Sequence, residues 1–308
     1  MKMLRNALAA AVAAALFAPF SVQAWDGAGH MLVDQIAWDL MTPAARAQAA
    51  ELVKPLDTRF NENQPYNFIT AGAWMDDMRG MGKDYKWSKL HYIDIPWTPT
   101  GTPIEMPEPP NVITGIDDAA KVLRDAKSTP AQRTEALAML IHFVGDIHQP
   151  LHATERNKDR GGNGVLISGV PFTDLMAKQG RNLHTFWDKA FRFDSQGPAI
   201  VEVWPSPEIT GRPHAPGEGV IAAEAKKIVA QFPRENLPEL AKDIDATSWA
   251  KESYLEGCLH AYPAGDMGDT SMVHVLTPEF AKASRVIADR RIALAGYRLA
   301  DLLNELLK

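Results

Sequence analysis

The sequence predicts an all-α fold, and three observations carry that expectation. Apolar residues recur with helical period along most of the chain. Threonine followed by proline, a start signal for helices, opens two of the periodic segments. Extended patterns are confined to short stretches. Leu32, Val33, Ile36, Ala37 and Leu40 mark a helix over 30–40, and Thr42-Pro43 followed by an alanine-rich run marks a second over 43–54. Residues 66–78 show the same period and stop at Gly80 and Gly82. Residues 87–95 (WSKLHYIDI) are aromatic and partly alternating, which favours an extended segment, and the six prolines of 96–110 make a loop. Helices follow over 114–126 and 130–148. The latter is apolar around most of its circumference from Ala136 onward and is therefore expected to be buried, with Gln149-Pro150 ending it. A loop with one hairpin around 164–172 leads to helices over 183–191, 219–231, 237–259 and 278–307, the last opened by Thr277-Pro278-Glu279.

The first 24 residues pair Lys2 and Arg5 with an apolar run and a Val22-Gln23-Ala24 terminus, the pattern of a secretory signal. The run is shorter than the roughly 20 residues that span a bilayer, so cleavage after Ala24 and export to the periplasm or medium are expected, with no stable membrane association. Removing the leader takes the formal charge from −6 to −8. Neither a linker nor a repeat interrupts residues 25–308, which are expected to form one domain and to act as a monomer. Cys258 is alone, so no internal disulfide can brace an exported chain, and rigidity must come from packing or bound metal.

His142 and Asp146 stand four apart on the buried helix, which puts both on one face. They could share a cation or only hydrogen-bond to each other. His148 and His152 follow, so three histidines and one aspartate fall within eleven residues of an apolar stretch, a costly burial without a metal. His142, Asp146 and His152 are read as ligands, and His148, off their face, as a supporting histidine at the helix end. His184 and Asp188 repeat the four-residue spacing. Asp76 and His91 are weak signals alone. With His30 and the amine and carbonyl of Trp25, freed by cleavage, the set exceeds one tetrahedral site and suits two or three ions.

In order and spacing these residues resemble the zinc-dependent, single-strand-specific nucleases of the S1/P1 type and, more distantly, the trinuclear-zinc phospholipases C. The pieces are Trp25 with His30, Trp74 to Asp76, His91-Tyr92-Ile93-Asp94, the block from His142 to His152, Gly161-Gly162-Asn163, and His184 with Asp188. The resemblance covers essentially the whole chain after the leader. It implies a helical fold and three Zn2+ ions: one held by Asp76, His91, His142 and Asp146, one by His152, His184 and Asp188, and one by Trp25, His30 and a bridging Asp146. Two features depart from the family pattern: Met75 stands where alanine is more usual, and the disulfides of plant and fungal members cannot form.

The expected activity is hydrolysis of single-stranded DNA and RNA, with nucleoside 3′-phosphates as the smallest substrates. Asp76 would orient or deprotonate the attacking water and Arg79 would neutralise phosphoryl oxygens. The negative net charge argues against a broad basic footprint, so attraction would be local to the metals. Tyr92 is the candidate stacking platform for a base, with Asp94 accepting from the base edge and Asn163 contacting it. Lys83, Lys86 and Lys89 are read as a solvated face. Two rival readings are a phospholipase C, which is expected to carry Glu at position 188, and a zinc-storage protein, which would expose its histidines in loops. His214, His260 and His274 are read as surface residues.

Overall fold

The computed structural model describes residues 25–97, 103–169, 181–193, 217–241, 245–263 and 270–308. The leader, His214 and the distal part of the expected 164–172 hairpin lie outside these residues. The fold is all-α. Its helices are α1 (Gly27–Leu40), α2 (Pro43–Val53), α3 (Trp74–Asp77), α4 (Val112–Arg124), α5 (Pro130–Asp146), α6 (Pro150–Ala153), α7 (Leu183–Trp187), α8 (Gly217–Gln231), α9 (Ala246–Glu256) and α10 (Pro278–Leu306). Among the described residues no helix is long and apolar enough to cross a membrane.

The helix starts follow local chemistry. Thr42, Thr129 and Thr277 each accept a backbone N–H into the first turn ahead of a proline, and Asn111 and Thr129 form reciprocal capping boxes. α5 is buried along its second half, from Ala136 to Asp146, as its all-round apolar pattern requires. α10, 29 residues long, packs along α1 with no room to spare. Gly296 lies so close to α1 that a Cβ there would meet Ile36 Cγ2 at 2.5 Å and the Val33 carbonyl at 3.1 Å. The same helix sends Arg291 and Arg298 inward. Arg298 donates to Glu252 of α9 and to His148 Nε2, and Arg291 donates to the His148 carbonyl. His148 is thus a buried anchor between the end of α5 and the C-terminal helix, its Nδ1 turned to Val144 O.

Several segments differ from the sequence expectation. Residues 66–78 do not make one helix: a 3-10 turn at Thr70–Ala73, the single turn of α3 and a 3-10 stretch at Met78–Asp84 replace it. That last stretch contains Gly82 at φ 62°, a conformation that breaks helical continuity. Residues 87–95 are not extended throughout. Trp87 and His91 are buried while Ser88 and Lys89 are exposed, a helical pattern that forms a 3-10 turn at Ser88–His91. Only Ile95–Pro96 is strand, and it pairs in parallel with Thr154–Glu155. The described start of the expected hairpin, Leu166–Ser168, pairs in parallel with Val273–Val275. Asp245 caps α9 by accepting from Ser248 N–H, so the expected helix over 237–259 is a 3-10 turn at Pro238–Ala241, then α9, then a wider turn at Gly257–Ala261.

The α1 and α10 contact generates a stability prediction. Gly296→Val should cost about 1–3 kcal/mol, because overpacking of that size outweighs the few tenths of a kcal/mol of helix propensity that valine gains over glycine. Urea unfolding followed by circular dichroism reads the loss, and an unchanged midpoint would mean that the two helices can separate freely.

Candidate metal centre

Three groups of side chains bring potential ligand atoms within 4.8 Å of one another: His30, His142 and Asp146; Asp76, His91 and His142; and His152, His184 and Asp188. The first two share His142, so the first five of these residues form one continuous knot. Its members come from α1, α3, the 3-10 turn at Ser88–His91 and α5; the third group comes from α6, α7 and the residue after α7. Every one of the eight is buried or nearly so. His91 Nδ1 lies 2.9 Å from Asp146 Oδ2 and 3.1 Å from His142 Nε2, and His30 Nε2 lies 3.4 Å from Asp146 Oδ1. His30 and His142 stack with ring centroids 3.9 Å apart. That stack fits because position 145 is glycine; a Cβ there would come within 2.7 Å of His30 Nδ1.

The hydrogen-bond partners assign which nitrogen of each ring faces the centre. His142 Nδ1 donates to Gly72 O at 2.7 Å, His152 Nδ1 to His91 O at 2.6 Å and His184 Nδ1 to Gly161 O at 2.6 Å. Each Nε2 is thereby left as an acceptor, the form a metal requires. His91 is held the other way round, with Nε2 beside the Tyr85 hydroxyl at 2.5 Å and Nδ1 inward. The two acceptors His152 Nε2 and His184 Nε2 then face each other at 3.1 Å, an arrangement that only a shared proton or cation makes favourable. Three buried atoms at the centre, His30 Nε2, Asp76 Oδ2 and Asp146 Oδ1, have no hydrogen-bond partner among the described residues. A cluster of imidazole nitrogens and carboxylate oxygens with this geometry fits zinc by donor type.

Electrostatics point the same way. Burial holds His30 and His91 well below the usual histidine range, so both are neutral. Burial also pulls His142 down, but the adjacent carboxylates of Asp146 and Asp76 raise it overall, which makes it the ring on which a proton and a cation compete. Asp146 is pushed up to about 6 by burial and remains ionised at neutral pH, and burial also holds Asp188 well above the usual carboxylate range. Gln149 Nε2 donates to Asp188 Oδ1 at 2.7 Å while its Oε1 accepts Leu151 N–H, fixing the carboxylate and the start of α6 together.

Trp25 is fully buried beside this centre. Its indole N–H donates to the Gly145 carbonyl at 3.1 Å, one residue before Asp146, and its ring packs edge-on against Phe191. Asp26 caps α1, pairs with Arg192 at 2.6 Å and donates its backbone N–H to Asp188 O. Arg79 is not the exposed helix-end arginine that its position allowed: its Nε donates to Asp76 Oδ1 at 2.7 Å, its guanidinium lies over Tyr85, and Nη2 is a buried donor without a partner.

Tyr92 and Asp94 flank the centre, both half-buried. Burial, Glu155 and Asp159 push Asp94 up to about 8. Its carboxyl can therefore carry a proton at neutral pH and donate as well as accept. The Gly161-Gly162-Asn163 turn abuts Asp94, and Asn163 Nδ2 donates one of its two N–H groups to Arg160 O. Lys83, Lys86 and Lys89 are exposed, and Lys86 pairs with Glu135. His260 is half exposed near Glu256 and His274 lies on a strand. Reading the sequence missed Tyr85, Gln149, Asp26 and the buried Lys189. Of these only Gln149 carried a signal, through its place inside the histidine block.

Comparison with known proteins adds the evolutionary context. The sequence model of the S1/P1 nuclease family matches residues 25–308. Nuclease P1 of Penicillium citrinum is 24% identical over 295 residues, covering 92% of this chain and 97% of its own. Endonuclease 2 of Arabidopsis thaliana is 26% identical over 307 residues, covering 94% and 93%. Nuclease S1 of Aspergillus oryzae is 24% identical over 200 residues, covering 62% and 61%. The match runs across all the elements that build the centre, and the chain belongs to the S1/P1 nuclease family.

Proposed function

We propose that this phosphodiester hydrolase is an exported, monomeric, trinuclear-zinc nuclease that cleaves single-stranded DNA and RNA to 5′-phosphorylated products and also removes phosphate from nucleoside 3′-phosphates. The observation that carries the reading is the convergence of eight buried ligand-type side chains with an unpartnered guanidinium donor beside them. Asp76, His91, His142 and Asp146 would hold one ion, His152, His184 and Asp188 a second, and His30, Asp146 and the amine and carbonyl of Trp25 a third. Bound zinc supplies Lewis-acid charge to the phosphate and lowers the pKa of water towards 7.

The chain's own residues do the rest. Asp76, whose Oδ1 is occupied by Arg79, has Oδ2 free to accept a proton or orient a water. Arg79 Nη2 would donate to a non-bridging phosphoryl oxygen, and because Asp76 already fixes its Nε, little entropy is lost on binding. Tyr92 offers a ring face to the base. Asp94, protonated on burial, can donate to an acceptor on the base edge. Asn163 Oδ1 would accept from an exocyclic amine. The burial of Trp25, its indole bond to the Gly145 carbonyl one residue before Asp146, and the Asp26 cap of α1 support a ligand role for its freed amine.

Purified enzyme with heat-denatured DNA, duplex DNA and phosphatidylcholine as substrates tests the reading directly. Cleavage of denatured DNA well above the other two is expected, and lipid hydrolysis alone would replace the nuclease by a phospholipase. Three further outcomes follow. A chain beginning at Trp25 should bind about one more zinc per molecule than the same chain with one residue added before it; equal zinc content and activity would remove the terminal amine from the centre. Arg79→Gln should lower kcat about 100-fold with zinc content retained, the cost of losing one donor to the transition state; a kcat within twofold of wild type would leave Arg79 without a role in the chemistry. Asp94→Ala should raise KM about tenfold or more through loss of a hydrogen bond to the base, and an unchanged KM would place the base elsewhere.

A further inference from the structure

The parallel pairing of Ile95–Pro96 with Thr154–Glu155 continues beyond the strand pair at both ends, reaching the centre at one of them. Ile93 N–H donates to the carbonyl of His152, a ligand-type residue, and Trp97 N–H donates to Glu155 O at 2.6 Å. This ladder ties Trp97 to the metal centre through main-chain bonds, three residues beyond Asp94. At about 3.3 Å per residue, three residues of extended chain cover roughly 10 Å. That is the scale of one to two nucleotide steps along a single strand. Trp97 is also 37% exposed, and among the described residues it is the one exposed tryptophan.

Its ring is not loose. The Arg156 guanidinium lies over it at 5.0 Å from the centroid and over Tyr262 at 5.4 Å, so one cation is shared by two aromatic rings. Tyr262 is fixed in turn, its hydroxyl donating to Asp159 Oδ2 at 2.7 Å, and Asp159 Oδ1 accepts the Arg156 backbone N–H. The chain that follows is basic. Lys158 and Arg160, both exposed, stand at positive φ (61° and 59°) in the tight turn that leads to Gly161, whose carbonyl orients His184. A cluster of three basic residues within five positions is notable in a chain of net charge −6. A preorganised indole backed by a guanidinium, with cations alongside, has the chemistry of a stacking platform for the bases of a single strand.

We propose that Trp97, held by Arg156 and Tyr262, is a second nucleobase platform that binds a nucleotide flanking the one at Tyr92 and Asp94, so that the enzyme reads oligonucleotides beyond the scissile unit. This rests on the nuclease reading above and specifies how far along its substrate the site extends. It makes the enzyme more efficient on polymers than on mononucleotides without adding sequence preference, because every base presents a ring face.

The test compares kcat/KM for a single-stranded octanucleotide and for a nucleoside 3′-phosphate in wild type, Trp97→Ala and Trp97→Phe, with zinc content measured in each. Trp97→Ala should lower kcat/KM on the octanucleotide about tenfold more than on the mononucleotide, mainly through KM, and Trp97→Phe should restore most of the difference. An equal loss on both substrates, or no loss on either, overturns the platform while leaving the nuclease intact. A wild-type enzyme that cleaves neither substrate removes the function itself and the platform with it.

Discussion

Everything in this molecule is organised around the cost of burying eight ligand-type imidazoles and carboxylates side by side. Acceptor nitrogens that face one another at 3.1 Å, as in His152 with His184, repel through their lone pairs. A divalent cation converts that repulsion into coordination, so the centre and the fold around it share their free energy. A chain with a lone cysteine has no covalent brace to offer instead. What holds the ligands before any ion arrives is the helical frame: α5 delivers His142 and Asp146, and α10 clamps the end of that helix through two buried arginines.

The centre is also asymmetric. His30, His91, His142, Asp76 and Asp146 form one knot in which His142 and Asp146 each face several partners, whereas His152, His184 and Asp188 form a separate group steadied by Gln149. Arg79 stands beside the knot and closes against Asp76 and Tyr85. Substrate charge would therefore be met by cations held in the knot and by a fixed guanidinium beside them. This arrangement explains how an acidic chain can act on a polyanion: attraction is concentrated where the reaction occurs and at the short basic turn next to it.

Much of this was legible in the sequence, and the reason is geometric. A spacing of four on a helix places side chains together whatever the tertiary structure does, so His142 with Asp146 and His184 with Asp188 could be paired before any coordinates. The threonine-proline starts marked helix ends for the same local reason. What could not be read were the contacts made at long range. Nothing near Tyr85 announces that its hydroxyl meets His91, and the strand pairs are parallel, joined by long crossovers rather than by turns. Residues 66–78 misled because their apolar period reads as one helix where the chain makes short separate turns, and 87–95 misled because partial alternation hid the 3-10 turn at Ser88–His91.

The tautomers of His142, His152 and His184 are each set by a main-chain carbonyl, those of Gly72, His91 and Gly161. Side chains mutate away, but a peptide oxygen survives every substitution at its own position. Tautomer control in this centre is thus nearly immune to point mutation as long as the backbone keeps its course. Lineages carrying this architecture can drift across most of their surface and still present the same three nitrogens inward.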